Sequence, residues 1–204
     1  MAYRLRALLL MLAALLLLGG CDDAARMAPL PDGARVLAFG DSLTFGTGAS
    51  AEQSYPAQLA ALTGLEVIRS GLPGELSSQG LQRLPALLDQ HRPALLLLCH
   101  GGNDLLRKQP REQLTANLRA MIDAAQSRGI AVLLIGVPRP GLLLSSEPLY
   151  AQLAEAQAIP YEGEALATIL ADARLKSDAV HPNAAGYRLL AERIAALLSE
   201  QGAR

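Results

Sequence analysis

The chain has 204 residues, enough for one ordinary domain with a sizeable core, and 18 Lys+Arg stand against 19 Asp+Glu for a formal net charge of −1. That near-neutral balance leaves no electrostatic footprint for nucleic acid. Cys21 and Cys99 are the only cysteines and the three histidines are scattered, which excludes a disulfide-framed fold and offers no ligand cluster for zinc.

At the N-terminus Arg4 and Arg6 precede the unbroken apolar run Ala7–Leu18, which ends in Leu18-Gly19-Gly20-Cys21. A basic start, an apolar middle of about a dozen residues and a small-residue ending predict a secretory signal over residues 1–20, short for a bilayer span. Leu-Gly-Gly-Cys resembles the bacterial lipoprotein box, in which the cysteine becomes the lipid-bearing first residue. The expectation is an exported lipoprotein anchored to a membrane and facing the periplasm. Asp22, next to Cys21, resembles the inner-membrane retention signal of enteric bacteria, and the choice between inner and outer membrane stays open. Without the first twenty residues the formal charge is −3. Residues 21–33, polar and containing Pro29 and Pro31, read as a lipidated cysteine and tether. Residues 34–204 read as the folded domain.

Along that domain, short apolar runs alternate with helical patterns. The runs are Arg35–Phe39, Leu65–Ile68, Ala94–Cys99, Ala131–Val137 and, more weakly, Ile159–Tyr161. Each is apolar on successive residues, as in strands buried on both faces of a parallel sheet. Helices are predicted over Tyr55–Leu62 with Gly64 as stop, Ser77–Gln90 with Pro85 as a blemish, Arg111–Arg128, and Asn183–Glu200. Strand and helix in alternation predict an α/β fold with a mainly parallel sheet.

In such sheets, sites form beyond the carboxyl ends of the strands. The words found there are Gly40-Asp41-Ser42, Gly71-Leu72-Pro73-Gly74 and His100-Gly101-Gly102-Asn103-Asp104, with Asp178-Ala179-Val180-His181-Pro182 before the last helix. Together they hold the parts of an acyl-transfer enzyme. A serine hydroxyl needs a base at its proton, and a neutral imidazole suits that work at neutral pH. Ser42 is the candidate nucleophile and His181 the base. Asp178, three residues earlier, is placed to turn back onto the imidazole and orient it. The Ser42 and Gly74 N–H groups and the Asn103 amide are candidate donors to an oxyanion. Asp41 reads as a turn former, Asp104 as a loop shaper, and His100 as a contact to its loop rather than a base. Leu142–Leu144 read equally as an acyl-binding wall or as core.

At these residues the chain resembles the SGNH hydrolase family, also called GDSL esterases. Ser42, Gly74, Asn103 and His181 match its four name-giving residues in order, within Gly-Asp-Ser-Leu, Gly-Gly-Asn-Asp and Asp-x-x-His-Pro. Leu81–Pro85 is similar to the segment that follows the second block in the thioesterase I, lysophospholipase and arylesterase branch. The resemblance implies a three-layer α/β/α sandwich of flavodoxin-like type on a five-stranded sheet. It implies hydrolysis of esters or thioesters without a cofactor, on small ester or lipid substrates, by a monomer. Arg69 stands where many members of the branch carry Asn, Glu75 where some carry Asp, and Arg139–Pro148 departs from the relatives' loop. Two rivals come from other classes. A phosphate-binding loop would need a Gly-Lys-Ser/Thr ending, which residues 38–48 lack. A non-catalytic exported binding protein would not need Ser42, His181 and Asp178 together.

Overall fold

The computed structural model describes residues 27–139, 141 and 145–203. The predicted signal, Cys21 and Leu142–Leu144 lie outside them. Five strands form one sheet: β1 (Arg35–Gly40), β2 (Glu66–Gly71), β3 (Leu95–Cys99), β4 (Ala131–Ile135) and β5 (Tyr161–Glu162). Their order is β2-β1-β3-β4-β5 and all pairings are parallel. The central strands follow the expected burial: Val36 to Phe39 and Leu95 to Cys99 are wholly inaccessible. Each buried leucine there contributes about 1.5–3 kcal/mol relative to exposure. β2, at the edge, is only half-buried.

Among the described residues eight α-helices accompany the strands: α1 (Ser42–Phe45), α2 (Tyr55–Thr63), α3 (Ser77–His91), α4 (Gly102–Leu106), α5 (Arg111–Gln126), α6 (Pro148–Ala156), α7 (Ala165–Ala171) and α8 (Ala184–Glu200). α2 packs on α8, and α8 on α7; across the sheet α3 packs on α5, and α5 on α6. The result is the three-layer α/β/α sandwich. α2 stops at Gly64, whose φ of 70° is left-handed, as its sequence predicts. α3 runs through Pro85, which has no N–H to give the carbonyl of Leu81. α8 begins one residue later than expected, with the Asn183 side chain capping the N–H groups of Ala185 and Gly186. The one-turn helices α1 and α4 are too short to show a period.

Within the segment read as a tether, Met27 and Leu30 touch the domain while the other residues from Ala28 to Gly33 are exposed. Met27 is buried, and the Leu30 N–H donates to the carbonyl of Ala203, beyond the end of α8, at 3.0 Å. The chain thus enters the domain at the end of the sheet opposite Ser42. Among the described residues no helix is long and apolar enough to cross a membrane.

Candidate active site

The site sits at the carboxyl end of the sheet, where β1 breaks into α1. Gly40 is the last residue of β1, and a Cβ there would lie 1.9 Å from the carbonyl oxygen of Cys99. Only glycine lets β1 and β3 stay this close at the point where the chain turns. Asp41 caps α1, its Oδ1 accepting the Leu43 N–H at 3.1 Å. Its Oδ2 accepts the Gly102 N–H, also at 3.1 Å. Burial pushes the Asp41 carboxyl above its ordinary range, against His100, these two N–H groups and His181, which pull it down. Asp41 is thus the turn former that its sequence predicts, and it also joins the loop after β3.

Ser42 opens α1, and its Oγ lies 3.0 Å from His181 Nε2. His181 Nδ1 lies 2.8 Å from Asp178 Oδ2. A carboxylate only accepts, so Nδ1 carries the proton and Nε2 is free to accept from the serine. Asp178 and His181 lie in a tight turn closed by the Ser177 N–H to the carbonyl of His181 at 2.9 Å. Asp178 Oδ1 holds that turn by accepting the N–H groups of Val180 and His181, each at 2.8 Å. Its partial burial raises the carboxyl pKa, but the hydrogen bonds from His181 and the two N–H groups outweigh that and hold it below the usual value. Asp178 is half-exposed and His181 mostly covered.

Gly74 is the third residue of the turn Leu72-Pro73-Gly74-Glu75, closed by the Glu75 N–H to the Leu72 carbonyl at 3.2 Å. Its φ is 80°; proline second and left-handed glycine third are what a type II turn demands. The Gly74 carbonyl accepts from Arg107 at 3.2 Å. Asn103, in α4, donates one side-chain N–H to the Glu75 carbonyl at 3.1 Å. Neither the Ser42 nor the Gly74 N–H donates to an acceptor among the described residues. Asp104 accepts the Ser77 N–H and hydroxyl at 2.8 and 2.6 Å, tying α4 to the start of α3. His100 is wholly buried and its Nδ1 accepts the Gly101 N–H at 2.9 Å, the loop contact expected of it.

Beside Ser42, Asn103 and His181 opens a cavity of ≈ 650 Å³. Leu43, Leu106, Val137, Leu170 and Val180 give it apolar walls, and Arg139 and Lys176 also line it. Sequence reasoning missed both cations, and also the ion pair of Glu75 with Arg83, whose Nη2 and Oε2 are 2.7 Å apart. Glu75 and Arg83 each lie in a segment the resemblance covers, but nothing local pairs them, since a turn and a helix start separate them. Among the described residues no group of three or more His, Cys, Asp or Glu could hold a metal ion.

A three-layer α/β/α domain with a hydrogen-bonded Ser–His–Asp line at the carboxyl end of its sheet is the architecture of a serine-hydrolase class of fold. Comparison with known proteins narrows the class. Residues 38–189 match the family described as GDSL-like Lipase/Acylhydrolase, and the chain belongs to that family. It is 35% identical over 130 residues to Esterase TesA of Pseudomonas aeruginosa, covering 61% of this chain and 65% of that protein. It is 33% identical over 172 residues to an arylesterase of Vibrio mimicus, covering 79% and 86%. The match thus spans just under two thirds of the first relative's length. Among solved structures, that titled TesA superposes with a TM-score of 0.73 at 29% identity, covering 82% of this chain and 99% of that one.

Proposed function

We propose that this chain is a serine esterase that cleaves carboxylic esters or thioesters through an acyl-enzyme on Ser42. The observation that carries the reading is the line Ser42 Oγ, His181 Nε2, His181 Nδ1 and Asp178 Oδ2, at 3.0 and 2.8 Å. His181 takes the Ser42 proton as the oxygen attacks the carbonyl. Asp178 orients the ring and stabilises the imidazolium. The Ser42 and Gly74 N–H groups and the second N–H of Asn103 hold the oxyanion. His181 then protonates the departing alcohol or thiol. Water, deprotonated by the same imidazole, releases the acyl group and restores Ser42.

The apolar cavity beside Ser42 suits the acyl or aryl part of an ester. The relatives' names, esterase and arylesterase, favour aryl esters and simple acyl esters, and lysophospholipids are read as a third substrate class. The intact Ser–His–Asp line speaks against the rival reading of a binding protein. The protein is read as a monomer without a cofactor. It is read as exported and held at a membrane by lipid on Cys21; several chains on one cysteine anchor firmly, whereas one binds marginally.

The test is hydrolysis of p-nitrophenyl esters, acetate through palmitate, by residues 22–204 alongside Ser42→Ala. Turnover that disappears in the variant supports the reading, and the chain-length profile sizes the cavity. A folded wild type that neither turns over an ester nor reacts with a fluorophosphonate refutes it. For the anchor, Cys21→Ser in the full chain is expected to release the protein from the membrane fraction.

A further inference from the structure

Behind the catalytic line lies a second cluster of charges that performs no step above. Glu75 and His100 are buried and Arg83 is partly covered. Arg83 grips Glu75 with two bonds, Nε to Oε1 at 2.8 Å and Nη2 to Oε2 at 2.7 Å. It also donates to the Ser70 hydroxyl at 2.7 Å, and to the carbonyls of Ser70 and Gly40 at 3.4 Å. Its guanidinium lies 4.2 Å over the Phe39 ring. One side chain thereby touches the carboxyl ends of β1 and β2. On the other side, His100 Nε2 meets Glu75 Oε2 at 3.1 Å while Nδ1 accepts the Gly101 N–H. The ring proton therefore sits on Nε2 and points at Glu75. Gly80 of α3 leaves the space for this imidazole; a Cβ there would collide with it.

The cluster ends on the oxyanion donors. The Glu75 side chain is held by Arg83 and His100, its carbonyl holds Asn103 Nδ2, and its neighbour is Gly74. His100 holds Gly101, two residues before Asn103. We propose that Arg83, Glu75 and His100 are positioning residues that set where the Gly74 N–H and the Asn103 amide stand. This rests on the oxyanion reading given above. A buried ion cluster is a poor source of stability, since apolar residues of equal volume do as well or better. What it supplies is fixed direction, which oxyanion donors need. Removing one such donor costs about 10²–10³ in turnover, and a displacement of about 1 Å can cost about 10².

The experiment is a double-mutant cycle on residues 22–204, with p-nitrophenyl butyrate as substrate and the thermal midpoint recorded for each variant. The variants are Glu75→Gln, His100→Leu and His100→Gln, each alone and combined with Asn103→Ala. His100→Gln keeps a donor toward Glu75 but not the imidazole's fixed acceptor for the Gly101 N–H, and serves if His100→Leu does not fold. Each single change is expected to lower kcat by about 10- to 100-fold, with KM within about threefold. In the Asn103→Ala background the same changes are expected to cost several-fold less than in the wild-type background, because one of the two donors they position is gone. Equal losses in both backgrounds, or full kcat in folded single variants, would overturn the proposal. If Asn103→Ala itself matches wild type, the oxyanion reading falls and the proposal falls with it; loss in Asn103→Ala with none in the others overturns the positioning role alone.

Discussion

Asp41 Oδ2 accepts the N–H of Gly102 at 3.1 Å, joining the residue before the nucleophile to the residue before Asn103. Through this bond one buried carboxylate ties the turn that carries Ser42 to the segment that carries Asn103, the proposed oxyanion donor. Asp41→Ala strands the buried N–H of Leu43, at about 1–3 kcal/mol, and leaves the part-buried N–H of Gly102 without its acceptor. The expected outcome is a clear fall in thermal midpoint together with at least about tenfold loss of kcat. Calorimetry and ester turnover on the same preparation check both.

Asp178→Asn separates orientation from charge. The amide oxygen can still accept the N–H groups of Val180 and His181, so the turn persists. The amide nitrogen, however, offers a donor where His181 Nδ1 needs an acceptor, which favours the wrong tautomer. Turnover is expected to fall by about 10²- to 10⁴-fold with little change in KM or in stability. Wild-type kcat in this variant would remove Asp178 from the catalytic line.

The acid stability of the protein should depend on Glu75. Against the cost of burial, Arg83 and His100 bring its carboxyl down from 4.5 to about 2. An acid with a depressed folded value stabilises the native state above its unfolded value and loses that contribution as pH falls. The window is therefore pH 4.5 down to about 2. Denaturant melts across that window should show a shallower decline in Glu75→Gln than in wild type.

Two glycines of the site should respond differently to alanine. At Gly40 the Cβ would lie 1.9 Å from a backbone oxygen, so Gly40→Ala is expected to yield little soluble, folded protein. At Gly74 the nearest atom to a Cβ is an Arg107 side-chain nitrogen at 3.9 Å, but φ is 80°. Gly74→Ala is expected to fold with a cost of about 1–2 kcal/mol from the left-handed backbone. Expression yield and thermal midpoint of the pair distinguish clash from backbone strain.

The described chain enters the domain, at residues 27–30, at the end opposite Ser42, and the proposed lipid on Cys21 would precede that entry. Leu30 bonds to Ala203 at the far end of α8 from His181, and Met27 follows Cys21 by six positions. Fully extended, six residues reach about 20 Å, whereas a domain of this size has a radius of gyration of about 16 Å. The lipidated protein in vesicles is expected to cleave dissolved p-nitrophenyl butyrate faster than lysophospholipid held in its own bilayer. Twenty Gly/Ser residues inserted before Met27 should narrow that gap.

Much of the architecture is determined by local chemistry and was legible without coordinates. Runs such as Leu95–Cys99, apolar on every residue, have no stable place except a strand covered on both sides, and the helical faces between them supply the cover. The words at the strand ends marked Ser42, Gly74, Asn103, Asp178 and His181, because each loop carries its own turn-forming residues. The contacts of Met27 and Leu30 were not legible: Pro29 and Pro31 read as a linker, but the bond to Ala203 joins chain positions at opposite ends of the described chain. What only the tertiary structure decided is which side chains meet across loops. Glu75, Arg83 and His100 come from a turn, a helix and a strand end, and nothing periodic relates them. Their bonds, like the 3.0 Å from Ser42 to His181, exist because a parallel sheet gathers the carboxyl ends of strands far apart in the chain into one place.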